Sequence, residues 1–302
     1  MAEKSLTDEQ IKQQLVAESS KTVNESKGKT QYKFPTEVID LPSKGKLYPE
    51  GHPLKSGTIE LKYMTAKEED ILTSQNLIQK GVVLDRLLTA LIVTPCNYDD
   101  ILIGDKNAIM IAARVMGYGS EYKVEIEDPF TPGEKQETSI DLQELQDTDV
   151  DWNIIGDDNS FEFELPTAKR TITFRLLTHG DEGKITDEVK ALKKNFKTRG
   201  YAGVDAQLST RLKHMILAVD GDSSPKAIRE FVDNQFLSRD TRAFRDYIKK
   251  VSPDIDMTFT FVSDITGQEK EMSIPLGVNF FWPGAWLQAR FTQANLSTLL
   301  QW

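Results

Sequence analysis

The sequence has one cysteine and little histidine, and both shortages limit its chemistry. Among 302 residues only Cys96 carries a thiol, which excludes a disulfide within the chain and a cluster of zinc-binding thiolates. His52, His179 and His214 show none of the spacings that are typical of metal sites. We therefore predict that the protein has no metal and no cofactor, and we interpret Cys96 as a buried or half-buried thiol.

Long apolar runs and an excess of basic charge are missing as well. No run of about 18 apolar residues and no apolar signal segment occurs, which predicts no membrane span and synthesis in a cytoplasm. The formal charge of −10 argues against nucleic-acid binding that depends on neutralising phosphates. The length and the hydrophobic fraction of 39% are typical of a globular protein with about two domains.

Motifs that assemble catalytic groups are also absent from the sequence. The stretch from Asp220 begins like a calcium loop, but Pro225 and Phe231 stand where the loop needs glycine and glutamate. The acidic cluster at 68–70 falls in the first turn of a predicted helix, where carboxylates suit the helix dipole. We predict that the protein is not an enzyme. Its many carboxylates leave open a cell-wall hydrolase, which needs an acid/base pair in a cleft.

What the sequence does contain is an internal repeat. DKNAI at 105–109 and DTRAF at 240–244 lie 135 positions apart, and GEKQETSIDL at 133–142 recurs as GQEKEMSIPL 134 positions later. A third pair, Tyr63-Met64-Thr65 and Leu176-Leu177-Thr178, lies upstream at an offset of 113, each followed by two acidic residues. Because the three pairs occur in the same order, they indicate an old duplication of a domain-sized unit.

Hydrophobic periodicity predicts an α+β fold with a mobile arm at 1–33, a first module at 34–156 and a second module at 157–302. Each module should contain one or two strands, then helices, then a closing β-hairpin that pairs with the module's first strand. The predicted strands span 58–64, 161–165 and 171–176, and the hairpins span 122–142 and 257–274. The predicted helices span 65–76, 82–93, 105–115, 184–197, 207–218, 225–236 and 240–250. Asp105 is placed to cap the third helix of the first module.

Two segments are candidate partner surfaces. The Pro/Gly-rich lead LPSKGKLYPEGHPL at 41–54 opposes helix formation, and its Leu and Tyr residues should anchor it to a core. The C-terminal segment begins with FFWPGAW at 280–286 and continues as a predicted helix. Its aromatics serve either core packing or partner docking, since interfaces favour such residues. The candidate partner-binding residues are Leu47, Tyr48, Phe281, Trp282, Trp286 and Trp302.

Several stretches together resemble a known family. LPSKGKLY (41–48), GTIELKYMTAKEEDILT (57–73), VLDRLL (83–88), ILIGDKNAIMIAARVMGYG (101–119) and FFWP (280–283) resemble baseplate hub and hub-assembly proteins of T-even-like contractile-tailed bacteriophages. The resemblance implies a late structural or assembly component of the baseplate hub that contacts other tail proteins and acts on no substrate. It implies a location in the virion tail after assembly in the host cytoplasm. The alternative is a transient assembly chaperone that is absent from the mature virion.

Overall fold

Short antiparallel sheets alternate with helices in the computed structural model of the chain, which describes residues 35–198, 206–276 and 280–281. The helices are α1 (Ala66–Thr73), α2 (Gln75–Gln79), α3 (Val83–Leu91), α4 (Ile103–Tyr118), α5 (His179–Thr198), α6 (Gln207–Met215), α7 (Pro225–Asn234) and α8 (Ser238–Val251). The strands are β1 (Thr36–Asp40), β2 (Thr58–Lys62), β3 (Glu121–Glu127), β4 (Lys135–Asp141), β5 (Phe161–Glu164), β6 (Thr171–Phe174), β7 (Ile216–Val219), β8 (Thr258–Val262) and β9 (Glu269–Ser273). The predicted α+β class is confirmed. The predicted arm at 1–33 and the C-terminal helix lie outside the described residues.

The sheets are small, and consecutive strands pair with one another. β1 pairs with β2, β3 with β4, β8 with β9, and β5, β6 and β7 form one three-stranded sheet. The prediction that each closing hairpin returns to its module's first strand is therefore wrong. The first predicted strand of the first module is β2, which pairs with β1, and that of the second module is β5, which pairs with β6. Each closing hairpin therefore forms a separate ladder in the described part of the chain.

The two halves of the chain repeat one order of elements. Each half has a pair of antiparallel strands, helices, a short segment that pairs with the second of these strands, one or two further helices (α4 in the first half, α7 and α8 in the second) and a closing hairpin. In the first half this segment is the bridge of Ile92 to Leu61 after α3, and in the second half it is β7, which pairs with β6 after α6. The predicted helix at 207–218 instead ends at Met215, because the apolar run that follows takes the open edge of β6. The repeated order supports the duplication that the sequence predicts.

One hydrophobic core runs through both halves. Its largest buried residues include Leu54 and Leu61 from the first half and Phe174 and Phe244 from the second, all at 0% exposure. The backbone also joins the halves, since the His179 amide donates to the Ile101 carbonyl at 2.8 Å. The boundary predicted near residue 156 stays a prediction. None of the helices in the described ranges has the length and apolar character needed to cross a bilayer.

The two closing hairpins meet through equivalent positions of the repeat. Asp128, at the turn after β3, accepts a hydrogen bond from the hydroxyl of Ser263, which lies 135 residues later at the turn after β8. Gln136 of β4 donates to the Val262 carbonyl at 2.8 Å and accepts from the Asp264 amide at 2.9 Å. The Asp128–Ser263 contact joins equivalent positions of the repeat, and the Gln136 contacts tie the two closing hairpins together beside it.

Candidate functional site

The Pro/Gly-rich lead is anchored in the core, as the sequence predicts. The side chains of Leu47 and Tyr48 are only 2% and 3% exposed, and Leu41 and Leu54 are buried beside them. Direct contact of Leu47 or Tyr48 with a partner stays a prediction. The exposed residues of this segment include Lys44 and the turn from Pro49 to Gly51.

A buried carboxylate holds this lead in place. Asp105 has 0% exposure and accepts hydrogen bonds from the Ser43 amide (2.9 Å), the Ser43 hydroxyl (2.7 Å) and the Tyr48 hydroxyl (2.7 Å). The Tyr48 hydroxyl in turn accepts from the Leu102 amide at 3.1 Å. Burial raises the pKa of both Asp105 and Tyr48. The prediction that Asp105 caps α4 is wrong, because Leu102 is the N-cap and the carboxylate turns toward the lead.

The equivalent aspartate of the second half also holds a loop through hydrogen bonds. Asp240, 135 residues after Asp105, is also fully buried and accepts from the amides of Thr167 and Ala168 at 2.7 and 3.0 Å. These amides lie in the loop between β5 and β6, as Ser43 lies in the loop between β1 and β2. The aspartate that the repeat places at both 105 and 240 therefore anchors a loop in each half.

The upstream repeat marks a second pair of anchors. In the first half, Glu68 accepts from the Thr65 amide at 3.0 Å and pairs with the Lys62 ammonium at 2.8 Å, which confirms the predicted capping box. Although burial opposes ionisation, the Lys62 and Thr65 hydrogen bonds lower the pKa of Glu68 to about 2. This clamp ties the end of β2 to the start of α1.

The same clamp recurs 113 residues later with different residue types. Asp181 binds the Arg175 guanidinium through two bonds of 2.6 and 2.8 Å and accepts from the Thr178 amide at 3.0 Å. Burial opposes ionisation here too, but the Arg175 and Thr178 hydrogen bonds hold the pKa of Asp181 below its usual range. The predicted start of this helix at 184 is wrong, because the clamp lets α5 begin at His179. The basic partners Lys62 and Arg175 were not identified from the sequence, although each lies three residues before its threonine.

The two described residues of the C-terminal aromatic segment are core residues. Phe280 and Phe281 are 3% and 1% exposed, and the Phe280 ring meets the edge of the Tyr122 ring with centroids 5.3 Å apart. This supports the core alternative for Phe281, whose contact with a partner stays a prediction. Trp282, Trp286 and Trp302 lie outside the described residues.

A polar cluster that the sequence does not predict joins α3, α4 and α5. Asp85 Oδ1 lies 3.3 Å from Lys106 Nζ and accepts from the Tyr98 hydroxyl at 3.2 Å. Lys106 Nζ lies 3.1 Å from His179 Nδ1, and His179 Nε2 lies 3.7 Å from Asp85 Oδ1. The cluster borders a pocket of about 460 Å³, into which Glu182 also projects. No local motif links these positions, so only the packing of the three helices brings them together.

Two of the three carboxyl groups that line this pocket are engaged by other side chains. A glycoside hydrolase needs two carboxyl groups free to act as acid and as base or nucleophile. Here Asp85 is engaged by Lys106 and Tyr98, and Glu182 pairs with the Arg211 guanidinium. Within the described ranges, no group of three or more His, Cys, Asp or Glu side chains could hold a metal ion.

We expect His179 to make the protein less stable in mild acid. Burial and the nearby Lys106 charge lower the pKa of His179 below its ordinary value of 6.5. The unfolded chain therefore takes up the proton first, so this contribution to stability is complete above pH 6.5 and is lost as the pH falls through the folded-state pKa. His179→Gln should flatten the fall in the free energy of unfolding between pH 7.5 and 5, measured by urea denaturation.

Thr186→Gln, which changes an exposed residue of the same pocket that has no titrating side chain, is the control and should keep the wild-type slope. An unchanged slope in His179→Gln would show that another group dominates the acid sensitivity.

A family model described as T4 bacteriophage base plate protein matches residues 33–282, which is most of the chain and includes both copies of the repeat. Neither the curated proteins nor the solved structures gave a match.

Proposed function

Since the chain belongs to the T4 bacteriophage base plate protein family, we propose that it is a non-enzymatic structural component of the central hub of a contractile tail baseplate. The family match is the observation that carries this proposal. A baseplate component works through contacts with other baseplate and tail proteins. The clamps and loop anchors described above suit such a role, because they stiffen both halves of the chain around one core.

We also propose where the partners bind. Trp282, Trp286 and Trp302 belong to a residue type that is enriched among the residues that dominate interface energies. Trp282 directly follows the buried pair Phe280–Phe281, and Trp286 and Trp302 come later in the same segment. In the lead, Leu47 and Tyr48 hold the shape of a surface whose exposed residues reach the partner. Both assignments rest on residue type and position in the chain.

Mass spectrometry of purified virions and of baseplate intermediates tests the proposed role. We expect the chain in both samples, at a constant ratio to the tail proteins. Detection in the intermediates alone would favour the alternative, a chaperone that leaves before maturation. Absence from both samples would contradict any role in the baseplate.

The same particles test the C-terminal tryptophans. A chain that ends at Trp282 should fold, as circular dichroism reports, but should enter baseplates much less often than the full chain. Normal incorporation of this shortened chain would remove Trp286 and Trp302 from the interface.

A further inference from the structure

An apolar groove of about 350 Å³ opens between α6, α8 and the start of α4. Its floor is made of buried leucines, which are Leu102, Leu176, Leu177 and Leu212. Leu208 lies at the mouth of the groove, and 47% of its surface is exposed. Removing this apolar surface from water would be favourable. The groove therefore offers apolar surface that a second segment can cover.

The rim of this groove is basic in an otherwise acidic protein. Arg211, Arg245 and Lys249 line it, while the chain carries a formal charge of −10. Arg211 pairs with Glu182, but Arg245 and Lys249 are exposed and have no acidic side chain within 4.0 Å in the described ranges. Cations without counterions beside exposed apolar surface are complementary to an acidic amphipathic segment.

We propose that this groove, which we call the α6–α8 groove, binds an amphipathic helix of another baseplate protein, with apolar residues on one face and Asp or Glu beside them. The inference rests on the proposed baseplate function and adds a specific contact to it. The groove walls are helices, and the backbone beneath is already paired, since the Ile103 amide donates to the Leu177 carbonyl at 3.3 Å. A helix suits such a groove because it satisfies its own backbone hydrogen bonds.

Charge argues against the chain's own C-terminal segment as the occupant. Residues 283–302 are apolar enough to fill the groove, but they carry Arg290 and no acidic residue. Placed in the groove, they would bring a further cation toward Arg245 and Lys249. The only acidic residue among the described lining residues is Asp254, and its carboxylate already accepts from the Asn107 amide at 3.0 and 3.2 Å.

Site-specific photo-cross-linking in assembled baseplates tests this proposal. p-Benzoylphenylalanine replaces the exposed Leu208 in the full chain, and the cross-linked peptides are identified by mass spectrometry. We expect cross-links to one segment of another baseplate protein, with Asp or Glu at helical spacing beside apolar residues. Reversing the rim with Arg245→Glu and Lys249→Glu should lower the yield about tenfold, because like charges would then face each other.

Arg242→Glu with Lys250→Glu is the matched control, because it makes the same charge change on exposed positions of α8 outside the groove. It should leave the yield unchanged, and an equal loss in both variants would overturn the proposal. Cross-links to residues 283–302 or to a second copy of the chain would also overturn it. So would the absence of any cross-link in baseplates that contain the chain. In each of these cases the proposed baseplate function would stand. Absence of the chain from baseplates and their intermediates would overturn both.

Discussion

Gly104→Ala is expected to lower the free energy of unfolding by about 2–3 kcal/mol. A Cβ atom at this position would lie 1.9 Å from the Pro253 carbonyl oxygen and 2.9 Å from the Asp254 Cα atom. Both are backbone atoms, so the start of α4 would have to move away from the segment that follows α8. Alanine favours a helix interior over glycine by roughly 1 kcal/mol, which offsets only part of the steric cost.

Gly117→Ala provides a matched control in the same helix. Its Cβ atom would lie 1.8 Å from an atom of Met64, but that atom is Cε, the free end of a flexible side chain. Rotation of the Met64 side chain can relieve the contact, so we expect a change within about 1 kcal/mol of zero. Urea denaturation of both variants measures the difference. Equal losses would show that α4 responds to any added methyl group and that the Pro253 contact is not special.

The parts of this fold that local patterns specify could be predicted from the sequence. The alternation of apolar and polar residues predicted β2, β5 and β6, and Thr65 with Glu68 predicted the start of α1. The repeated sequence segments identified two pairs of equivalent residues, Asp105 with Asp240 and Glu68 with Asp181, whose side chains make similar contacts in the two halves. All of these signals lie within a few residues of the feature that they predict.

The features that depend on distant contacts could not be predicted in this way. Asp105 lies where a helix cap is common, but its partners are Ser43 and Tyr48, 62 and 57 residues earlier in the chain. The strand β7 is a four-residue apolar run that continues directly from a helix, so periodicity alone could not separate the two. The α6–α8 groove brings Leu208 together with Arg245 only after the helices have packed.

Asp105→Ala is the second variant for which we expect a large effect. The change leaves three buried donors, on Ser43 and Tyr48, without an acceptor in a region that is at most 3% exposed. Each unsatisfied buried donor costs about 1–3 kcal/mol, while removal of a buried carboxylate returns part of that cost. We therefore expect a loss of about 3 kcal/mol, measured by urea denaturation. Asp246→Ala, an exposed aspartate of α8, should change the stability by less than about 0.5 kcal/mol.

A double-mutant cycle shows whether Asp105 acts through the lead. Tyr48→Phe removes one of the three donors and should cost less than Asp105→Ala. In the double variant the Tyr48 donor no longer needs an acceptor, so the combined loss should be smaller than the sum by about 1 kcal/mol. Additive losses would mean that the hydroxyl and the carboxylate contribute independently. A positive coupling would show that the lead and the first turn of α4 stabilise each other, which would keep the exposed turn after Tyr48 in a fixed position.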